Sequence, residues 1–417
     1  MTKLINRVTK LPKCESLFYF LCWTSAVFYS IYKVSLLSTY FNDYHDVYDD
    51  FSQGWIWLGR KQDVSDQEWK IWIPLIIKLI PWIFLHHSIS YIIKTLPNTM
   101  LRCISCSIDN KQMCLENNYD NIYLLRNFLW GLAYSLYLPT LHLGPLILYH
   151  EFIDSIKKPF HTWKLTELGY LVLNLIRYGF WILFANFFLH FLYFNAMHYH
   201  PRIVEVLNPW ALYGLGYCMG QFFLIKYVVV YGLNHTLCAI DNIEAPSQPK
   251  CVARVHLYSD MWKYFDEGLY KFLIRYIYTP LLKSNFNKVF ASFLCFAFVF
   301  VWHGMQTNIF IWAFLNFIGL NIENLIKSLE RSKYCTNIQK KYMSPTNVRR
   351  VHCIVTSPLL AMSVISNFYF FAGEEIGHIY VYRIFHDICH STLILLCFLY
   401  CCCQVSTDLK NWESRKF

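Results

Sequence analysis

Charge is what this sequence has least of. Only 15% of its 417 residues are Asp, Glu, Lys or Arg, whereas 56% are hydrophobic and 19% aromatic. Soluble domains carry about 25% charged residues, so a soluble globular chain is a poor fit. The 34 Phe, 31 Tyr and 14 Trp, set in long apolar runs, describe a polytopic membrane protein rich in interfacial aromatics. Standard catalytic fingerprints are missing too. No GxSxG, phosphate-binding P-loop, HExxH or dinucleotide motif is present, so the chemistry of those motifs has no sequence support. There is no low-complexity tract and no internal repeat; the second absence counts against a transporter built from paired halves. The formal net charge of +10 does not restore nucleic acid as a partner. The basic residues sit in short groups beside apolar runs, as in Lys3, Arg7, Lys10 and Lys13 or Arg349 and Arg350, which is how membrane flanks are built.

Sixteen cysteines are present, but not as a disulfide framework. Cys22, Cys218, Cys295, Cys389 and Cys397 lie in apolar runs, and Cys401, Cys402 and Cys403 end the last one. Thiols there serve as small apolar residues of membrane helices. Cys103 and Cys106 form one CxxC with no second pair, a weak zinc signal. Cys14 and Cys401 to Cys403 are placed at membrane edges, where palmitate attaches.

Apolar windows predict an all-α polytopic protein with about ten transmembrane helices and some short amphipathic or re-entrant ones. One membrane domain over 1–417 is the simplest account. The first run, 17–39, is long enough to be a retained helix rather than a cleaved signal. A basic tail, 1–15, precedes it, and the segment 42–69 after it is rich in Asp and Glu. The positive-inside rule then puts the N-terminus in the cytosol and 42–69 in the lumen. Further spans are expected over 71–93, 165–194, 210–231, 354–371 and 391–403, and over 286–301 and 303–326, which read as two helices or one interrupted region. Amphipathic pieces are expected over 101–108 and 380–389, and a polar cytosolic loop over 327–350. Residues 121–153 are apolar but interrupted by Gly131, Pro139, Gly144 and Pro145, a pattern of broken helices lining a cavity, since irregular backbone must be shielded from lipid. Residues 272–282 are too few to cross alone. Arg177, within 165–194, reads as a snorkelling or salt-bridged side chain, with a pocket role as the alternative.

Against that background, ionisable residues at membrane depth stand out, because each is costly unless partnered. His303 lies in the run from Phe298 to Met305. A neutral imidazole there can accept a proton from an attacking hydroxyl or amine, as acyl transfer requires; it can equally be a hydrogen-bonded link between helices. Asp266 stands at the threshold of another apolar segment. It is placed to orient a histidine or a nucleophile, to stay neutral and donate a hydrogen bond, or to cap the helix that starts near Gly268. Lys263 and Arg275, with Tyr278 nearby, would suit phosphate groups such as those of coenzyme A, or simply snorkel. Asn367 is a lone amide in an apolar run and must find a partner there.

These residues together resemble the membrane-bound O-acyltransferase superfamily, with its hedgehog acyltransferase branch as the nearer match. The resemblance is carried by Trp302, His303 and Gly304 in an apolar run. It is carried also by the block Met261, Trp262, Lys263, Tyr264, Phe265, Asp266, Glu267, Gly268, Leu269 followed by Phe272 to Tyr278. Gly59, Arg60, Lys61, Ser65, Asp66, Glu68 and Trp69, then Leu101 to Ser105, and Gly144 with Pro145, add to it. The resemblance implies a multi-pass enzyme of the endoplasmic reticulum or Golgi membrane with a central tunnel. It would move palmitate from palmitoyl-coenzyme A to the N-terminal cysteine of a secreted hedgehog-type protein, forming an amide. It implies that His303 and Asp266 are catalytic, that Trp262, Trp302 and Asn367 lie near the donor, and that Cys251 matches a position that ligates haem b. Lys263 departs from an arginine-type grip, replacing a bidentate contact with a point charge. Acylation of a lipid or other hydroxyl, a non-catalytic lipid-binding regulator, and a permeation path past His303 and Arg177 are the competing readings.

Overall fold

The computed structural model describes residues 10–44, 49–95, 119–158, 163–386 and 389–414. The start of the basic tail, the amphipathic piece expected over 101–108, and Cys103 and Cys106 lie outside them. Helices dominate, as the apolar windows predict, and the strands among the described residues are two residues each.

Seven of the described helices are long and apolar enough to cross a membrane: Lys13–Tyr40, Gln67–Ile92, Leu165–Phe188, Pro209–Ile240, Thr307–Glu330, Pro345–His386 and Ser391–Glu413. The shorter Lys288–Trp302 is equally apolar. The expectation of about ten spans also counts shorter and broken apolar segments, and the interruptions read in 121–153 are present. Residues 121–153 fold as Tyr119–Ser135, Leu138–Leu141 and Tyr149–Lys157 with extended chain before the last. Residues 272–282 belong to three successive pieces: Glu267–Leu273, a π-helical turn Ile274–Tyr278, and Thr279–Lys283. Likewise, the pieces expected over 354–371 and 380–389 are two helices within Pro345–His386, separated at Gly373, whose φ of 88° and ψ of 178° are not helical.

Local chemistry sets several of these ends. Asn208 caps Pro209–Ile240 by accepting the Ala211 N–H at 2.9 Å, with Pro209 in the first turn. Asn287 caps Lys288–Trp302 in the same way through Phe290 N–H, 2.7 Å. The first helix packs along Pro209–Ile240 and the last helix, while Thr307–Glu330 packs along Pro345–His386. Four apolar cores result among the described residues, two of them large. One gathers Met197, Leu212, Leu215 and Tyr380; the other gathers Val299, Ile309, Trp312 and Tyr369.

The acidic segment expected as a loop carries real structure. Phe51–Ser52 and Gln62–Asp63 pair antiparallel, with Phe51 opposite Asp63. Asp63 is 1% exposed. It accepts N–H groups from Ser65 at 3.1 Å and from Asn195 and Ala196 at 3.0 Å, which fastens the hairpin onto the short helix Phe194–His198. Arg177 is exposed, its guanidinium 5.6 Å from the centre of the Tyr178 ring.

Candidate functional site

His303 stands at the end of Lys288–Trp302, not within a continuous helix. Gly304, at φ 106°, takes the left-handed step after it. The Met305 N–H then reaches back to the Phe300 carbonyl at 3.2 Å. This closure ends one helix and lets Thr307–Glu330 start on a new course, with His303 in the bend. The imidazole meets Trp312 and Phe370 edge-on, at ring-centre distances of 5.4 and 5.2 Å and interplanar angles of 89° and 88°. No described side chain hydrogen-bonds the ring; its polar edge is available to the cavity that it lines.

That cavity measures about 1210 Å³, above the roughly 300–1,000 Å³ usual for small-molecule sites. Its wall draws on the first helix, the Gly144–Pro145 stretch, Pro209–Ile240, the block around Asp266, the His303 bend, and the last two long helices. Asp266 lines it too. The aspartate lies between Tyr258–Phe265 and Glu267–Leu273 and caps the second. Its Oδ1 accepts the Leu269 N–H and its Oδ2 accepts the Tyr231 hydroxyl, both at 2.9 Å. A Cβ on Gly268, the second residue of that helix, would lie 2.2 Å from the Leu146 carbonyl. The missing side chain is what lets the broken Gly144–Ile147 stretch close over the cap.

Three further hydrogen bonds tie the wall together. Trp262 Nε1 donates to Asn316 Oδ1 at 3.0 Å, and Asn316 Nδ2 donates to Ser366 Oγ at 3.2 Å. Trp312 Nε1 donates to Asn367 Oδ1 at 3.2 Å. Trp262, Trp302, Trp312, Asn316 and Asn367 all line the cavity. Sequence reasoning missed Tyr231, Trp312 and Asn316. Asn316 carried the signal that singled out Asn367, a lone amide in an apolar helix. Tyr231, one of 31 tyrosines, carried none.

The remaining predicted residues are not in the cavity wall. Lys263 reaches over the Tyr264 ring, 5.1 Å from its centre. Arg275, in the π-helical turn, contacts His150 Nε2 at 2.8 Å, and Tyr278 packs against the second apolar core. Cys251 precedes the 3₁₀ turn Val252–Arg254, with its sulfur 3.9 Å from Gln221 Oε1. Burial pushes this thiol up, against the pull of the Ala253 N–H and the Arg254 charge. These surroundings favour the protonated form, whereas iron takes the thiolate, so no chemical step is assigned to haem.

The fold is that of a multi-pass helical membrane protein with a large cavity, and the family comparison agrees. The chain belongs to the membrane-bound O-acyltransferase family, whose model matches residues 11–367. It is 38% identical over 251 residues to the protein-cysteine N-palmitoyltransferase Rasp of Drosophila melanogaster, covering 59% of this chain and 49% of that protein. It is 31% identical over 276 residues to the protein-cysteine N-palmitoyltransferase HHAT of Mus musculus, covering 65% and 55%. A match to the membrane-bound O-acyltransferase GUP2 of Saccharomyces cerevisiae runs at 25% over 313 residues, covering 74% and 48%. The chain thus spans about half the length of the curated relatives it matches.

Proposed function

We propose that this protein transfers a long-chain acyl group, palmitate, from palmitoyl-coenzyme A to the N-terminal cysteine of a secreted hedgehog-type protein, in the cavity that His303 and Asp266 line. The observation that carries the reading is the histidine itself. It is a cavity-lining imidazole whose ring takes no hydrogen bond from the described residues, in a chain whose family transfers acyl groups and whose relatives at 38% and 31% identity are named for palmitoylating cysteine.

In the proposed reaction the acceptor's N-terminal amine attacks the thioester carbonyl carbon. The new C–N bond forms and the C–S bond breaks. His303 takes the proton that the amine sheds and passes it to the departing thiolate of coenzyme A, so no external acid or base is consumed. Initial attack by the cysteine thiol, followed by shift of the acyl group to nitrogen, balances in the same way. Each Asp266 oxygen already accepts one N–H or O–H. The carboxylate therefore acts as a fixed anion that orients the acceptor's N–H groups. The Trp262–Asn316 and Trp312–Asn367 pairs support the wall against which the donor lies. Lys263 and Arg275 meet the phosphates of coenzyme A from outside that wall, where they would act on donor affinity. The setting is the endoplasmic reticulum membrane, with the N-terminus in the cytosol and 42–69 in the lumen. The test is transfer of labelled palmitate to a Cys-initiated peptide by the purified full chain. His303→Ala is expected to lose about 10²–10⁴-fold in turnover, and full activity in that variant overturns the base assignment.

A second reading, acylation of a hydroxyl, is favoured by the match to GUP2, which spans 74% of this chain. Replacing the Cys-initiated peptide by its Ser-initiated form or by a lipid alcohol separates the two. Preference for the alcohol favours the second.

A further inference from the structure

Far from His303 in sequence, three metal-ligand side chains converge where Pro209–Ile240 ends. His86 and His87 lie on Gln67–Thr95, and Asp241 follows the last residue of Pro209–Ile240. His86 Nε2 is 3.1 Å from Asp241 Oδ2, and His87 Nδ1 is 3.2 Å from the same oxygen. One ligand atom from each of the three lies within 4.8 Å of the others. Asp241 is 5% exposed, and His87 is 12% exposed.

Hydrogen bonding alone accounts for this cluster poorly. Tyr137 also donates to Oδ2, at 3.0 Å, while Oδ1 accepts the Ser90 hydroxyl at 2.7 Å. Three donors thus crowd the oxygen with two lone pairs. His87 is the one left out: despite its distance it is not aligned for a hydrogen bond, and neither of its ring nitrogens has one. A ring nitrogen that points beside a carboxylate oxygen, not at it, is how two ligands of one metal ion stand. With bonds of about 2.0–2.1 Å, tetrahedral zinc separates adjacent N and O ligands by about 3.3 Å, close to the observed spacings. Ser90 and Tyr137 supply the outer hydrogen bonds that a ligating carboxylate takes.

We propose that His86, His87 and Asp241 form a binding site for one divalent first-row metal ion of the Zn²⁺ class, which pins Gln67–Thr95 to the end of Pro209–Ile240. The ligands are two imidazoles and one carboxylate, a set suited to zinc and its borderline neighbours. The site is separate from the acyl-transfer cavity, whose wall contains none of the three ligands. Its role is to hold structure: Tyr137, bonded to the ligand Asp241, is three residues from the cavity residue Thr140.

The experiment uses the full chain in detergent, stripped with chelator and titrated with Co²⁺, whose visible d–d absorption reports tetrahedral N/O ligation. One equivalent should bind, displaceable by Zn²⁺, and Zn²⁺ should raise the melting temperature. Asp241→Asn, which keeps the shape and the hydrogen-bonding oxygen, and His87→Ala should each weaken Co²⁺ binding at least tenfold. His378→Ala, an exposed histidine elsewhere, should not. Equal Co²⁺ binding by wild type and the Asp241→Asn and His87→Ala proteins overturns the proposal. So does a monodisperse, stripped wild type that takes up no Co²⁺; the cluster is then a hydrogen-bond network only.

Discussion

Two ionisable residues of this protein sit within or between apolar helices and are treated in opposite ways. Lys226, in the apolar helix Pro209–Ile240, is 5% exposed. Its ammonium bonds Asp66 Oδ2 at 2.7 Å and Glu68 Oε2 at 2.8 Å, and it lies 5.5 Å from the Phe222 ring centre. His303 faces a large cavity with only aromatic edges around it. A charge that serves the fold is saturated with partners, because an unpaired one costs several kcal/mol in a low-dielectric setting. A group kept for chemistry leaves its lone pair to a substrate. The contrast separates a structural lock from a candidate base by what each is bonded to rather than by its depth.

The contrast can be broken most directly at His303. His303→Ala should remove about 10²–10⁴-fold of turnover while leaving the melting temperature nearly unchanged, since no hydrogen bond is lost; thermal melts beside palmitoylation assays check both. A variant that melts far earlier would place His303 with Lys226 among the structural groups. Next in size, Gly268→Ala forces a Cβ toward the Leu146 carbonyl and should cost about 1–3 kcal/mol by overpacking, with activity falling as the cap is displaced; denaturation and turnover together read this. Lys226→Met should act in the reverse sense to His303→Ala. It is expected to cost about 1–3 kcal/mol for the charged hydrogen bonds lost, with turnover per folded molecule little changed. Asp266→Asn divides cap from charge. Asn caps as well as Asp, so stability should hold within about 0.5 kcal/mol, while turnover drops on the order of tenfold if the anion orients the acceptor. Unchanged turnover would reduce Asp266 to a cap. The smallest effect is expected at Arg275→Ala. Lying off the cavity wall, Arg275 should alter the KM for the acyl donor by less than about threefold, in the range of exposed ion contacts, and more at low salt.

Much of this was legible in the chain, and the limits have physical causes. Scarce charge and long apolar runs predicted the membrane class because lipid rejects charge wherever it lies. The His303 bend was half legible: residues 286–301 and 303–326 read as two helices or one interrupted, and Gly304 decides for two. The cap at Asp266 was legible because capping is local, three residues from acceptor to donor. The break within 121–153 was legible as well, at Gly144 and Pro145. Lys226 went unremarked though it is a lone lysine in an apolar helix, the same kind of signal as Arg177. Nothing local distinguishes the two, one locked to Asp66 and Glu68, the other exposed beside Tyr178.

What the sequence by itself determined is therefore what depends on neighbours along the chain: a helical membrane protein, where its helices are capped, and which ionisable residue stands at apolar depth before a glycine turn. Only the tertiary structure decided which of those residues are spoken for. Tyr231 meets Asp266, Asn316 meets Trp262, Lys226 meets Asp66, and His86 and His87 meet Asp241 across separations of 35 to 160 residues. The reason is physical: pairing in a low-dielectric interior is set by which helices lie side by side, and local propensity carries no record of that choice.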